Sequence, residues 1–159
     1  MTIANYPLPT VLTVVVLTVL VALIGGLATV LGPWYDALKK PAWQPPDWLF
    51  GPAWTLIFLL AAYAAIDSYT QAPPTARTAI ITVFAINAVL NILWSVLFFK
   101  LQSPMFALYE VVLLWLSIVS IMVVIYPYSL SGTLALVPYL AWVGFAAFLN
   151  YTIVTLNAR

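Results

Sequence analysis

The side chains of this chain that have chemical capacity are aromatics and amides rather than bases or thiols. It holds seven tryptophans, nine tyrosines and eight phenylalanines, with no histidine and no cysteine. That inventory excludes an imidazole base, a histidine-bound zinc, a proximal histidine for haem iron, disulfides and thiolate nucleophiles. Four of the seven tryptophans, Trp34, Trp43, Trp48 and Trp54, crowd into a stretch that also carries Pro33, Pro41, Pro45 and Pro46. Further along, Asn87, Asn91, Trp94 and Phe98 fall within ~60° of one another on a helix turning ~100° per residue, with Ser95 beside them. Pro138, Trp142, Ala146, Leu149 and Ile153 form another stripe, and Trp54, Phe58, Ala61 and Ala65 a third. Aromatic and small residues on three helices, one of them bearing amides, suit the walls of a flat apolar cavity.

These residues need a scaffold, and composition says in which solvent. Of 159 residues, 65% are apolar and 6% charged, against roughly 45–50% and about 25% in soluble globular proteins. Nine charged side chains do not cover a soluble fold of this length, so the solvent is lipid. A net charge of +1 without a basic run gives no footprint for nucleic acid. A spanning helix needs about 20 mostly apolar residues, and five stretches qualify: Thr10 to Leu31, Gly51 to Tyr69, Thr78 to Phe99, Pro104 to Tyr126 and Gly132 to Asn157. The expectation is an all-α integral membrane protein, one domain over residues 1–159. It is a five-transmembrane-helix bundle with a long Trp- and Pro-rich loop, residues 32–50, between helices 1 and 2. No Lys or Arg precedes the first stretch, and its apolar run exceeds the ~7–15 residues of a signal-peptide core, so it reads as a span. Lys39, Lys40, Lys100 and Arg159 fall on one side and Arg77 on the other. The excess places the N-terminus outside and the first loop and C-terminus in the cytoplasm.

Each feature has two readings. The first loop is either an aromatic belt at the headgroup level or a lid over a ligand cavity, for which proline stiffness argues. The two asparagines are either glue between helices or part of a pocket. Pro138 either kinks its helix harmlessly near the membrane surface or shapes a cavity. Asp67 lies close enough to the end of its span to reach water. Glu110 lies about two turns inside Pro104, where it meets a cavity, water or Lys100, or couples proton movement to transport. Neither acid has a second carboxylate nearby in sequence, so no hydrolytic acid–base site is indicated.

The run Trp34-Tyr35-Asp36-Ala37-Leu38-Lys39-Lys40-Pro41-Ala42-Trp43-Gln44-Pro45-Pro46, followed by Trp54, resembles the signature of the translocator protein family, TspO/MBR, once called peripheral-type benzodiazepine receptors. Asn87-x3-Asn91-x2-Trp94-Ser95-x2-Phe98-Phe99 is similar to the family's third helix. Pro138-Tyr139-Leu140-Ala141-Trp142 with Leu149-Asn150-Tyr151 is similar to its fifth. The resemblance implies a bundle that is usually a homodimer, with a pocket under the first loop for porphyrins and isoquinoline-carboxamide-type drugs. By position it assigns to that pocket Tyr35, Pro45, Phe50 and Trp54 near the loop, Asn87, Asn91, Trp94, Ser95 and Phe98 from the third helix, and Trp142, Ala146 and Leu149 from the fifth. The absence of histidine and cysteine favours a metal-free porphyrin over haem as that ligand, so no cofactor and no metal are expected. In some members the tryptophans matching Trp54 and Trp142 suggest light-dependent porphyrin breakdown, in which these two would be the reacting groups. A lipid- or sterol-binding or scaffold role is the third alternative. Yet the sterol pattern at the end of the fifth helix is not met. Arg159 lies farther from Tyr151 than the pattern's limit of about five intervening residues, and Thr155 stands where other members carry the basic residue. Small residues that allow close helix approach in a dimer are Gly25, Gly26 and Thr29, or Ala79, Ala85 and Ala88.

Overall fold

The computed structural model describes residues 2–3 and 6–158, so Arg159, counted above for orientation and for the sterol pattern, lies outside the described residues. Among these residues the helices are α1 (Leu8–Ala28), α2 (Pro33–Ala37), α3 (Phe50–Gln71), α4 (Pro74–Ser95), α5 (Pro104–Ile125), α6 (Leu130–Ala135) and α7 (Val137–Asn157). A 3-10 turn, Asp47–Leu49, leads into α3, and a π-helical turn, Val96–Lys100, prolongs α4. At the N-terminus Thr2–Ile3 pairs antiparallel with Tyr6–Pro7. With these extensions, and α6 counted with α7, five segments are long and apolar enough to cross a membrane: Leu8–Ala28, Asp47–Gln71, Pro74–Lys100, Pro104–Ile125 and Leu130–Asn157. The protein is an all-α integral membrane protein with several spans.

Proline sets many of the boundaries. It occupies the first or second position of α1, α2, α4, α5 and α7, where its missing N–H leaves no hydrogen bond unmade. Helix α4 therefore begins at Pro74, ahead of the expected Thr78, and takes in Arg77, whose guanidinium lies 4.9 Å from the centre of the Tyr69 ring. Helix α1 stops short of Leu31 at Thr29, whose N–H and hydroxyl still bond to the Gly25 carbonyl, at 3.1 and 2.9 Å, but whose backbone, at φ −82° and ψ 89°, has left the helical region. The fifth span, in which Pro138 is expected to kink the helix, breaks at Leu136, and Pro138 lies in the first turn of the second piece. The expected 32–50 loop is likewise not all coil, since α2 and the 3-10 turn lie within it.

The core is organised around α5. Ala107, Val111, Leu114, Ile118, Ile121 and Ile125 repeat at helical spacing along one face and are at most 2% exposed. From Val111 to Ile125 that face shares one buried cluster with Ile80 of α4, Leu136, Tyr139 and Val143 at and beyond the start of α7, and Ile57 and Ala64 of α3, while Ala107 belongs to a second cluster with Phe98 and Leu149. Helix α1 is peripheral. Only Gly25 and Ala28 of it are buried, and Leu27 is 82% exposed, a cost in water but not against acyl chains.

Candidate functional site

The connection between α1 and α3 is held down by its own side chains. Tyr35, buried in α2, donates its hydroxyl hydrogen to Asp47 Oδ1 at 2.9 Å and accepts one from Gln44 Nε2 at 3.1 Å. Burial first, and then the Asp47 carboxylate, push the Tyr35 hydroxyl up to about 12. Lys40 Nζ sits 4.2 Å from the centre of the Tyr35 ring, and Phe99 lies 5.7 Å from it on the bundle side. Asn157 at the end of α7 accepts from the Lys39 N–H at 3.1 Å and donates to the Lys39 carbonyl at 2.9 Å. Trp43 stacks on Phe148 at 5.2 Å. Trp48, by contrast, is 71% exposed. Within the loop, then, Tyr35 is buried against the bundle and Trp48 is not.

Beneath it lies a cavity of about 390 Å3. Six of the expected residues line it: Tyr35, Phe50, Trp54, Asn91, Trp94 and Ser95. Phe58, Phe99, Asp47 and Thr55 complete that side, and Ala22, Gly25, Gly26 and Thr29 of α1 form the opposite wall. The α1 residues were missed as wall residues. Gly25, Gly26 and Thr29, the small residues that allow close helix approach, are their signal in the sequence. Ala85 and Ala88 likewise line a second cavity, while Ala79 is exposed.

The other expected residues sit elsewhere. Asn87 lines the second cavity. Pro45 is half-buried within the loop. Phe98 and Leu149 are buried in a cluster with Tyr35, Ala107 and Ile153. Trp142 stands edge-on to Phe50 at 5.6 Å and beside Phe145, and Ala146 is half-buried. None of these last five lines either cavity. For Phe98 the cause is the π turn: the Leu101 N–H bonds to the Val96 carbonyl at 2.8 Å, five residues back, so the α-helical angle no longer holds beyond Ser95. Pro138 is exposed and lines neither cavity.

The amides are spent on neighbouring helices. Asn87 Nδ2 donates to Ser117 Oγ of α5 at 2.8 Å, and its oxygen accepts from the Tyr139 hydroxyl of α7 at 3.2 Å. Asn91 Nδ2 donates to that same hydroxyl at 3.0 Å. Trp94 Nε1 donates to Asn150 Oδ1 at 3.3 Å, and Asn150 Nδ2 to the Pro104 carbonyl at 2.9 Å. Helix α4 is thus tied to α5 and α7 while Asn91 also walls the cavity.

The acids differ from one another. Asp67, expected to reach water, is 4% exposed and accepts hydrogen bonds from Tyr6, Ser129 and Ser131. Glu110 is equally buried, yet among the described residues neither of its oxygens has a hydrogen-bond partner, so Lys100 does not pair with it. The Trp142 indole N–H is also without one. No group of three metal-binding side chains occurs among the described residues.

Five membrane-crossing segments, the first three of which wall an aromatic cavity with one amide in its lining, define a multi-pass helical membrane protein. The model of the TspO/MBR family matches residues 13–156, and the chain belongs to that family. It is similar to the tryptophan-rich protein TspO of Chlorobaculum tepidum, 42% identical over 125 residues, which cover 78% of this chain and 79% of the relative. The tryptophan-rich sensory protein of Cereibacter sphaeroides is 32% identical over 124 residues, 78% and 77% of the two chains. The translocator protein of Sus scrofa is 32% identical over 122 residues, 76% and 72%.

Proposed function

We propose that this protein is a membrane receptor or carrier for a planar tetrapyrrole, bound as the metal-free porphyrin in the cavity beneath the first loop. The observation that carries this reading is the cavity lining. Trp54, Trp94, Phe50 and Phe99 supply faces for a flat ring, while Asn91, Ser95 and Asp47 supply a few polar atoms. Its volume of about 390 Å3 falls in the range of roughly 300–1,000 Å3 typical of small-molecule sites. Lys40 beside Tyr35 offers a positive charge at the rim for a carboxylate of the ligand. Lys39, Lys40 and Lys100 share the loop end and Arg77 lies at the other, an excess that supports a cytoplasmic loop. The relatives' names, a sensory protein and a translocator, agree with recognition of a small molecule.

Protoporphyrin IX titrated in the dark into the protein in lipid nanodiscs is expected to quench tryptophan fluorescence saturably. Trp54→Ala should weaken binding about tenfold, the equivalent of ~1.4 kcal/mol for one lost stacking face. An unchanged Kd in that variant removes the site. Trp54 on the wall also favours photochemistry as a second reading. Illuminating the same sample tests it: loss of the Soret band that requires the protein and fails in Trp54→Phe makes the protein a porphyrin-degrading enzyme, and decay equal to that in empty nanodiscs does not.

A further inference from the structure

The second cavity is the larger, about 710 Å3 between α1, α3 and α4. One side of α1 runs past both cavities: Thr10 to Val21 supply the larger, Ala22 to Thr29 the smaller. Phe58 and Asn91 belong to both linings, so one ring and one amide are common to the two spaces. The room comes from alanines, Ala61 and Ala65 on α3 and Ala85 and Ala88 on α4. Leu17, Ile81 and Val89 line this space and are 57%, 56% and 64% exposed, so it opens sideways towards lipid.

We propose that this cleft is a second site, continuous with the first, through which a planar apolar macrocycle dissolved in the bilayer reaches the cavity under the loop. The proposal rests on the tetrapyrrole reading of that cavity. Two observations favour the lateral path over one from water. The loop end is closed by the Tyr35, Gln44 and Asp47 hydrogen bonds and by the paired Lys39–Asn157 bonds, all of which an approach through the loop has to break. Parting α1 from α4 disturbs little, because the two buried residues of α1 both lie at its loop end. The chemistry of the lining selects the traveller. It contains hydroxyls and amides, such as Thr13, Tyr69 and Asn87, but no charged side chain to meet a phospholipid headgroup. Phe58, 5.7 Å from Trp54, is the ring that must turn to let a flat ligand pass.

Because the chain has no cysteine, a Leu17→Cys, Ala88→Cys double variant accepts a reducible thiol cross-linker between α1 and α4. Protoporphyrin IX is added by stopped flow to phosphatidylcholine vesicles containing this variant, and the rate of tryptophan quenching is followed. The cross-linked protein is expected to bind at least tenfold more slowly, with an end-point Kd within about twofold, and reduction should restore the rate. Ala88→Trp, which fills the cleft without a cross-link, should slow uptake in the same way. Quenching at an unchanged rate in the cross-linked protein and in Ala88→Trp overturns the lateral route while leaving the tetrapyrrole site standing. Absence of saturable quenching in the unmodified protein overturns both.

Discussion

Glu110 and the two asparagines show how differently one membrane interior treats its polar side chains. Asn87 and Asn91 each reach a partner on another helix, and such bonds inside a bundle contribute about 0.6 kcal/mol on average and seldom more than about 1.7. Glu110 shares the buried face of α5 with Ala107, Val111 and Leu114, and its oxygens have no such partner among the described residues. An ionised carboxylate without a partner is costly in that setting by several kcal/mol, whereas an amide of the same shape carries no charge to desolvate. Glu110→Gln should therefore fold and melt at the same temperature as the parent or higher, followed by circular dichroism in detergent. Glu110→Ala should lose about 1–3 kcal/mol through the space it opens. A Gln variant that no longer folds would show that the carboxylate is itself required by something outside the chain. This pattern was only half legible. The helical wheel placed both asparagines on an inward face, but Ser117 and Tyr139 lie 30 and 48 positions away, and no local periodicity records which distant hydroxyl completes an amide.

Helices were easier to read than their ends. Apolar length alone located all five spans, since each must exclude the backbone from lipid. Trp142 and Leu149, in contrast, lie on the expected stripe of α7 but line neither cavity, because which ring stands in front, here Phe50 at 5.6 Å, depends on tertiary contacts. The break in the fifth span was signalled by Pro138, and its purpose is visible at Gly132. Helix α6 starts with Ser129 accepting from the Gly132 N–H at 2.8 Å, a cap that fixes the direction of the short helix. A Cβ at Gly132 would stand 2.5 Å from the capping Ser129 Oγ and 3.2 Å from the Ala64 Cα, so glycine is what lets the capped start of α6 lie against α3. Gly132→Ala is expected to lose about 2 kcal/mol, because the neighbouring backbone cannot yield as a side chain would. Gly144→Ala serves as the control. Its Cβ would meet only the Trp115 ring, at 3.4 Å and beyond, and alanine is the better helix former by about 1 kcal/mol, so that variant should be unchanged or more stable. Thermal unfolding of the two side by side separates a contact requirement from a general intolerance of glycine replacement.

Hydrogen bonds gather beyond both ends of α1, whose two buried residues, Gly25 and Ala28, lie near its loop end. At the loop end its neighbours are pinned through Lys39 and Asn157. At the other end, Asp67 of α3 gathers the N-terminal segment and the turn after α5: Tyr6 donates to it at 2.7 Å and Ser131 at 3.0 Å, Ser129 donates as well, and Tyr63 supports Ser131 at 3.0 Å. The hydrogen bond to Asp67 pushes the Tyr6 hydroxyl from 10.0 up to about 12, since a phenolate would face the carboxylate. The sign of the resulting pH dependence follows. The folded state keeps its proton to higher pH than the unfolded chain, so the clasp contributes fully below pH 10 and is lost as pH rises through about 12. Tyr6→Phe removes it at every pH, at a cost of about 1 kcal/mol for a partly screened bond to a charged acceptor. Melting curves of the two proteins should therefore differ most below pH 10 and converge towards pH 12. Tyr35, raised to about the same value, titrates in both and cancels in the difference. If α1 is the moving wall of the larger cavity, the same substitution should also speed amide hydrogen exchange from Thr10 to Val14 and quicken porphyrin uptake from the bilayer. A Tyr6→Phe protein that melts differently but takes up porphyrin at the parental rate would confine the clasp to stability and remove α1 opening as the limiting step.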